Sequence, residues 1–511
     1  MHKLVTLINT NQVKPSIAPI GLDYLHGSLV RAGFEVELLD LCFSEDFEAD
    51  IANYCSTRRP DFWGVTLRNS DDTYFASQHS FMTLVQRMVQ VVKRHSDAPI
   101  TMGGVGFSIM PKQILDYCQA DFGIVCEGEV SFPLLLTRLA KGESYDDISG
   151  LVYRTADGFK QNPTSYADLS QVGAHSRNFI DNKKYFALGG QAGIETKRGC
   201  NRACIYCVEP RVKGSKVRLR DPAHVVDEME SLLDRGIYAF HVNDSEFNLD
   251  IDHARAFCDE IRRRNLHERV QWYAYGMPAP FPDRLARSMS EAGCAGMNFG
   301  VDSASEKMLR VLKRTFRPKH IAAAVETCKR YQLPYMIEIL FGAPGETAET
   351  VKETIDFLRQ IDAERVFITV GLRVFPDTEL EEMVRGEGIS PDNPNLYGVI
   401  KDNDKLIYPL FYLASQIAPN PPEYIGQLIG DDPRFFGVNT SNMNYNANQL
   451  LVEAIERGER GAYWAILADI GAKDPALMAH NSAIPVPLSV EQEEQELVQI
   501  GKKGSLNGTR V

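Results

Sequence analysis

The stretch GIETKRGCNRACIYCVEP, residues 193–210, decides the architecture of this 511-residue chain. It opens as a strand-like run, breaks at Gly199 into a loop carrying Cys200, Cys204 and Cys207, and leads to a helix-like segment, DPAHVVDEMESLLDRG, at 221–236. A loop between a parallel strand and the following helix is where a barrel keeps its chemistry. Three thiolates at this spacing can each ligate one iron of a [4Fe-4S] cubane, leaving the fourth iron open to a ligand that chelates through an amine and a carboxylate. The same triplet also suits a zinc ion that draws its fourth ligand from elsewhere. The other cysteines, Cys42, Cys55, Cys118, Cys126, Cys258, Cys294 and Cys328, lack ligand spacing and read as core residues.

Working outward, GIETKRG is followed by AFHVND (239–244), VQWYAY (270–275), MNFGVDS (297–303), YMIEILFG (335–342) and VFITVGLRV (366–374), separated by helix-like segments. Six parallel strands make a partial (β/α)6 barrel over 191–385. Upstream, KLVTLIN, FEVELLDL, DFWGVTLRN, PITMGG and DFGIVCEGE alternate with helical patterns, which predicts a doubly wound, Rossmann-like α/β domain over 1–145. Residues 146–190 are turn-rich and read as a linker. Residues 386–511 read as a small mixed region that caps the substrate, with an aromatic run LIYPLFYL, a helix near Ala447–Ile455, and a polar tail after Val486 that is expected to fray.

The formal charge of -13, with no compensating block of Lys and Arg, excludes nucleic acid as an expected partner. No run approaches the roughly 20 apolar residues of a membrane span. Because MHKLVTLINT leads into a strand rather than resembling a signal peptide, and ten cysteines are too sparse for a disulfide scaffold, a cytoplasmic protein is expected.

The CxxxCxxC spacing, with aromatic Tyr206 before the last cysteine, resembles the signature of the radical S-adenosylmethionine (SAM) superfamily. That resemblance implies a [4Fe-4S] cluster on Cys200, Cys204 and Cys207, SAM held on its open iron, and an electron donor such as flavodoxin or ferredoxin. Electron transfer into the sulfonium would release a 5'-deoxyadenosyl radical. It further implies that Asp244, Ser245 and Glu246 of HVNDSEFN meet the cofactor's amine. Ser303 of GVDSASEKML would meet its ribose or carboxylate, with Asp302 where relatives commonly carry Glu. ILFGAPGET resembles the family's FxxGLPGET, which places Gly342 and Gly345 beside adenine. The same glycines also suit a plain strand-to-helix turn, with Glu346 or Thr347 at the helix start.

In the amino-terminal domain, MGGVGFSIMP and CEGE resemble the cobalamin-binding domain of B12-dependent radical enzymes of the class B methyltransferase type. This implies that Gly103, Gly104 and Gly106 line the pocket for the cobalamin nucleotide tail. A cofactor-free doubly wound domain with glycine turns is the alternative, and Glu127 and Glu129 also suit a helix cap. No DxHxxG loop supplies an axial histidine, and His26 in GLDYLHGS reads as structural. VTLRNSDDTY resembles the segment facing the lower side of cobalt in methylases of the tryptophan 2-methyltransferase type. It implies a catalytic role for Arg68, against a salt bridge to Asp71 or Asp72. The carboxy-terminal NYNANQLLVEAIERGERGAYWAIL (444–467) carries the same resemblance, and Tyr408, Phe411, Tyr412, Tyr445 and Tyr463 are candidates to close over a substrate.

Together these resemblances imply a cobalamin-dependent radical SAM methyltransferase that moves a methyl group through methylcobalamin to a carbon of a small molecule or peptide, with a non-radical transfer as a subcase. A cobalamin-dependent cyclase or ring-rearranging enzyme would share the motifs, as would a non-catalytic cobalamin or iron-sulfur binding protein. A tRNA methylthiotransferase would need a further cysteine triad and a basic terminal domain, which the residues do not provide.

Overall fold

The computed structural model describes residues 3–169, 175–438 and 444–473. Strands β1 (Leu4–Asn9), β2 (Glu35–Asp40), β3 (Phe62–Thr66), β4 (Ile100–Gly103) and β5 (Phe122–Ile124) form a parallel sheet in the order β2-β1-β3-β4-β5. Helices Ile20–Arg31 and Gly128–Lys141 pack together on one face, and Phe47–Thr57, Met82–His95 and Pro111–Cys118 on the other. This is the doubly wound arrangement, whose strand order reverses beside β1 and opens a crevice at the strand carboxyl ends.

Residues 146–190 are not a linker. Strands β6 (Leu151–Thr155) and β7 (Gly158–Gln161) extend the same sheet antiparallel to β5, and Asn182–Gly189 is helical. Only Leu151, Val152 and Tyr153 of β6 are buried, too short a run for periodicity to register. The following segment is anchored by polar burial instead. Asp23 accepts from Arg177 Nε at 3.0 Å, from the Phe179 N–H at 3.0 Å and from Asn182 Nδ2 at 3.2 Å. Both members of the Asp23–Arg177 ion pair have fully buried side chains. Nearby, the Tyr24 hydroxyl donates to Glu228 at 3.1 Å and its ring stacks on His175 at 3.7 Å. These contacts tie the first helix of the amino-terminal domain to the second domain.

The second sheet is wholly parallel, each strand bonded to its neighbour in chain order: β8 (Ala192–Ile194), β9 (Ala239–Val242), β10 (Gln271–Gly276), β11 (Cys294–Asp302), β12 (Tyr335–Phe341), β13 (Val366–Val370) and β14 (Phe435–Phe436). β14 and β8 do not pair, so the barrel is open. Six of these strands match the sequence reading, and β14 adds a seventh. Within GIETKRG only the first residues join the sheet, because Lys197–Arg198 turn away to pair antiparallel with Arg218–Leu219.

Alternate residues of each strand face the lumen, as the pleat requires. At one end Tyr273, Met336 and Phe367 pack with Tyr463 and Trp464 in a single buried cluster supplied by the helices Gln449–Glu456 and Tyr463–Lys473. A Cβ on Gly296 would lie 2.7 Å from the Trp464 ring, so glycine there makes room for the plug. Part of the carboxy-terminal region therefore floors the barrel. Another part, Leu396–Gly398 and Leu410–Tyr412, joins Leu372–Arg373 of the barrel segment in a three-stranded antiparallel sheet. The tail after Val486 lies outside the described residues.

Candidate active site between the two sheets

A cavity of about 650 Å³ lies where the carboxyl ends of the first sheet meet the barrel. Asn9, Thr66, Arg68, Gly103, Gly104 and Glu127 line it from the amino-terminal domain, and Arg198, Glu209, His241, Asp244, Ser245 and Tyr275 from the barrel. Burial pulls the His241 imidazole down to about 4, so it is neutral at physiological pH.

The glycines divide by role. Gly103 and Gly104 line the cavity, and a Cβ on Gly103 would meet nothing closer than Ile124 O at 3.7 Å. Gly104 has φ +101°, and a Cβ there would lie 2.5 Å from Leu67 O. Gly106 is not part of the lining. Its N–H donates to Leu67 O and Arg68 O, and a Cβ would meet the Asn69 backbone at 2.8 to 2.9 Å. Gly104 and Gly106 thus let the loops after β3 and β4 touch, which fixes the backbone that carries Arg68.

Arg68 does not pair with Asp71 or Asp72. Asp71 binds Arg373 at 3.0 Å, and Asp72 accepts from Ser77 and from Asn444 Nδ2 at 2.8 Å. Among the described residues no carboxylate lies within ion-pair distance of Arg68. Its side chain lines the cavity and is exposed. Burial pulls its pKa below the usual guanidinium value, opposed by Tyr463 and Tyr275.

Cys200, Cys204 and Cys207 share a tight loop in which the Cys207 N–H donates to Cys204 O at 3.1 Å. Burial raises the pKa of all three thiols, that of Cys200 to about 11. Arg314, a residue that the sequence reading passed over, donates to Cys204 Sγ at 3.2 Å, lies 3.5 Å from Asp302 and binds Gly300 O. A guanidinium beside a thiol favours the thiolate, the form that binds metal. Among the described residues no three His, Cys, Asp or Glu side chains converge on one metal-ion position.

The remaining motif residues separate sharply. The Tyr206 hydroxyl donates to Asp302 Oδ2 at 2.8 Å, tying the cysteine loop to β11. Asp244 is spent within the fold, paired with Lys197 at 2.6 Å and accepting from the Thr196 N–H and hydroxyl. The Ser245 hydroxyl donates to Glu209 at 2.5 Å. Ser303 is wholly buried, 3.0 Å from the Thr354 hydroxyl and accepting from the Ser305 N–H. The Glu246 carboxylate makes no hydrogen bond with the described residues, whereas Asp244 and Ser245 are both engaged. Burial lifts Glu246 to about 7, with Arg314 opposing. Gly342 and Gly345 both have positive φ, and their turn is closed by Glu346, whose Oε2 accepts from the Gly342 N–H at 2.5 Å and the Ala343 N–H at 3.2 Å. Thr347 caps the next helix.

CEGE does more than cap a helix. Arg198, two residues before Cys200, sits 2.7 Å from Glu129, 2.9 Å from Glu195 and 3.4 Å from Glu127, and Glu127 also meets Arg218 at 2.6 Å. The loop after β5 of the first sheet is thereby clasped to the loop that carries the cysteines. Of the aromatic candidates, Tyr445 and Tyr463 join the barrel floor. Tyr408 meets Tyr117, Phe411 meets Phe75, and Tyr412 donates to Glu387.

Two family models match these two units: "B12 binding domain" over residues 6–136 and "Radical SAM superfamily" over 194–358. The tryptophan 2-C-methyltransferase of Streptomyces laurentii is 30% identical, across 90% of this chain and 95% of its own length. An uncharacterized methyltransferase of Pyrococcus horikoshii is 27% identical over 71% of this chain and 78% of its own. Among solved structures, a radical SAM methyltransferase from Kitasatospora setae, with tryptophan substrate and a SAM analogue bound, superposes with a TM-score of 0.85 at 30% identity, covering 94% of this chain and 100% of that one.

Proposed function

Because this chain belongs to the cobalamin-dependent radical SAM methyltransferases, we propose that it moves a methyl group from SAM, by way of cobalamin, to a carbon of a small indole-bearing amino acid of the tryptophan kind. The observation that carries the reading is the single cavity bounded both by the strand ends of the B12-type sheet and by the barrel loops. When bound, cobalamin supplies a methyl carrier and the [4Fe-4S] cluster supplies an electron and an open iron for SAM.

We assign the cobalamin role to residues 1–145 with the added β6–β7 hairpin, and the SAM role to 191–385. Cys200, Cys204 and Cys207 would hold the cluster, with Arg314 offsetting thiolate charge. Tyr206, through Asp302, would keep the loop in place. Glu246 has the open carboxylate that the ammonium of SAM needs, whereas Asp244, Ser245 and Ser303 support the loops around it. Gly342 and Gly345 would shape the adenine side. On the cobalamin side Gly103 and Gly104 border the cavity, and Gly106 acts through the loop it permits. Arg68, protonated and without a free lone pair, would border the cobalamin and keep water from it rather than bind its metal. Tyr445, Tyr463 and Trp464 pack in the cluster that floors the lumen.

A flavodoxin or ferredoxin would deliver the electron. The acidic balance argues against nucleic acid as substrate. No helix among the described residues is long and apolar enough to cross a membrane, and the free cysteines suit the reducing cytoplasm. The test is an anaerobic incubation of the reconstituted enzyme with SAM, reductant and L-tryptophan. The reading expects S-adenosylhomocysteine and a C-methylated tryptophan. A cyclised or ring-rearranged product, or no consumption of SAM, would overturn it.

A further inference from the structure

The lumen holds a polar layer that the cofactor motifs leave unused. Tyr275 on β10 stands opposite Asn298 on β11, and Glu338 on β12 stands opposite Gly300, two residues further along. The layer lies one inward position above the aromatic floor, since Tyr273, Gly296 and Met336 each precede one of its members by two residues. Asn298 Nδ2 donates to Glu338 Oε2 at 3.2 Å.

What the layer lacks, among the described residues, is a cation. Asn298 is 1% exposed, yet its Oδ1 has no hydrogen-bond partner among the described residues. The Tyr445 hydroxyl, contributed by the floor, is likewise buried and has no partner among the described residues. Glu338 has no cation within ion-pair distance among the described residues. Buried polar atoms are almost always satisfied, so open polar atoms beside an uncompensated carboxyl group in a lumen mark the place of a ligand. An ammonium group carries three donors and no acceptor, and it brings the charge that Glu338 lacks.

We propose that Glu338, Asn298 and Tyr445 form the seat for a protonated amine of the substrate. Glu338 is the counter-charge and Asn298 Oδ1 and the Tyr445 hydroxyl take further N–H bonds. The seat rests on the substrate reading above and places the amino group deep in the barrel. Burial lifts Glu338 to about 7, so the arriving cation also restores its ionised form.

The test measures anaerobic binding of L-tryptophan, tryptamine and indole-3-propionate to the enzyme loaded with cluster and cobalamin, by equilibrium dialysis, for the wild type, Glu338→Gln and Glu338→Asp. Glu338→Gln should weaken the two amines by about ten- to a hundredfold, the loss of one charge-assisted hydrogen bond, and shift indole-3-propionate by no more than about twofold. Glu338→Asp keeps the charge and should keep the preference for amines. Equal weakening of all three probes would make Glu338 merely structural and overturn the seat. Weakened SAM binding with the amines unaffected would give the site to the cofactor's ribose and overturn it as well. Wild-type binding of indole-3-propionate as tight as that of tryptamine would sink the seat while leaving the indole reading standing. Failure to bind any of the three would sink both.

Discussion

Arg198→Met removes one cation from among three carboxylates while nearly keeping side-chain bulk. Glu127 retains Arg218 at 2.6 Å, but Glu129 and Glu195 lose their nearest partner. Breaking a buried ion pair costs about 3–5 kcal/mol. Because 23% of the Glu129 side chain and 14% of the Glu195 side chain still reach water, the lower end, about 3 kcal/mol, applies. For a domain of this size that is a fall of about 6–12 °C in the first thermal transition. The assay is circular dichroism of the anaerobic holoenzyme, with cluster and cobalamin absorbance read in parallel. Adding Glu129→Gln to Arg198→Met removes one stranded charge and should recover part of the loss, whereas Glu129→Gln alone should destabilise. The pH dependence has a definite sign. Burial pushes the Glu129 pKa up, but Arg198 holds it below the usual carboxylate value, so the wild type has this stability above about pH 4 and loses it as pH falls through the folded pKa. In the variant the buried acid titrates higher and is relieved by protonation, so the gap in stability should narrow as pH falls from about 7 toward 4. A shift under about 2 °C, or strictly additive effects of the two substitutions, would refute the clasp.

Replacing Cys200, Cys204 and Cys207 together by Ala should abolish the roughly four irons of a reconstituted cluster, and their retention by iron analysis and Mössbauer spectra would remove the cysteines from the site. Gly104→Ala forces a side chain into a φ of +101° against Leu67 O, so cobalamin affinity should fall by at least about tenfold with iron content unchanged, as read by spectral titration. Arg68→Ala should open space for water, raise the five-coordinate fraction of cob(II)alamin in paramagnetic resonance and slow methyl transfer; an unchanged spectrum and turnover would return Arg68 to a structural role.

Both domains were legible because their strands are separate apolar runs divided by helical patterns, and parallel strands in chain order leave few ways to wind. The hairpin β6–β7 and the two-residue β14 were not, since neither is long enough to show a period. The segment around Arg177 was misread as linker because what holds it is a buried ion pair, which hydrophobicity cannot reveal. Within the site, the cysteine spacing is local and so visible. Arg314 beside Cys204, the clasp on Arg198, and the Asn298–Glu338 pair depend on which distant strands and loops are neighbours, information carried by the register. The glycine motif carried its meaning only in part: Gly106 answers to the Asn69 backbone, not to the cavity.

The central claim, that cobalamin relays the methyl group of SAM to a substrate carbon in one shared cavity, is tested most directly by mass spectrometry of product made with SAM bearing a trideuteromethyl group. The account predicts that the wild type transfers the label to carbon only when loaded with both cluster and cobalamin. Label transfer by cobalamin-free enzyme, or label found in no product while SAM is consumed, would contradict it.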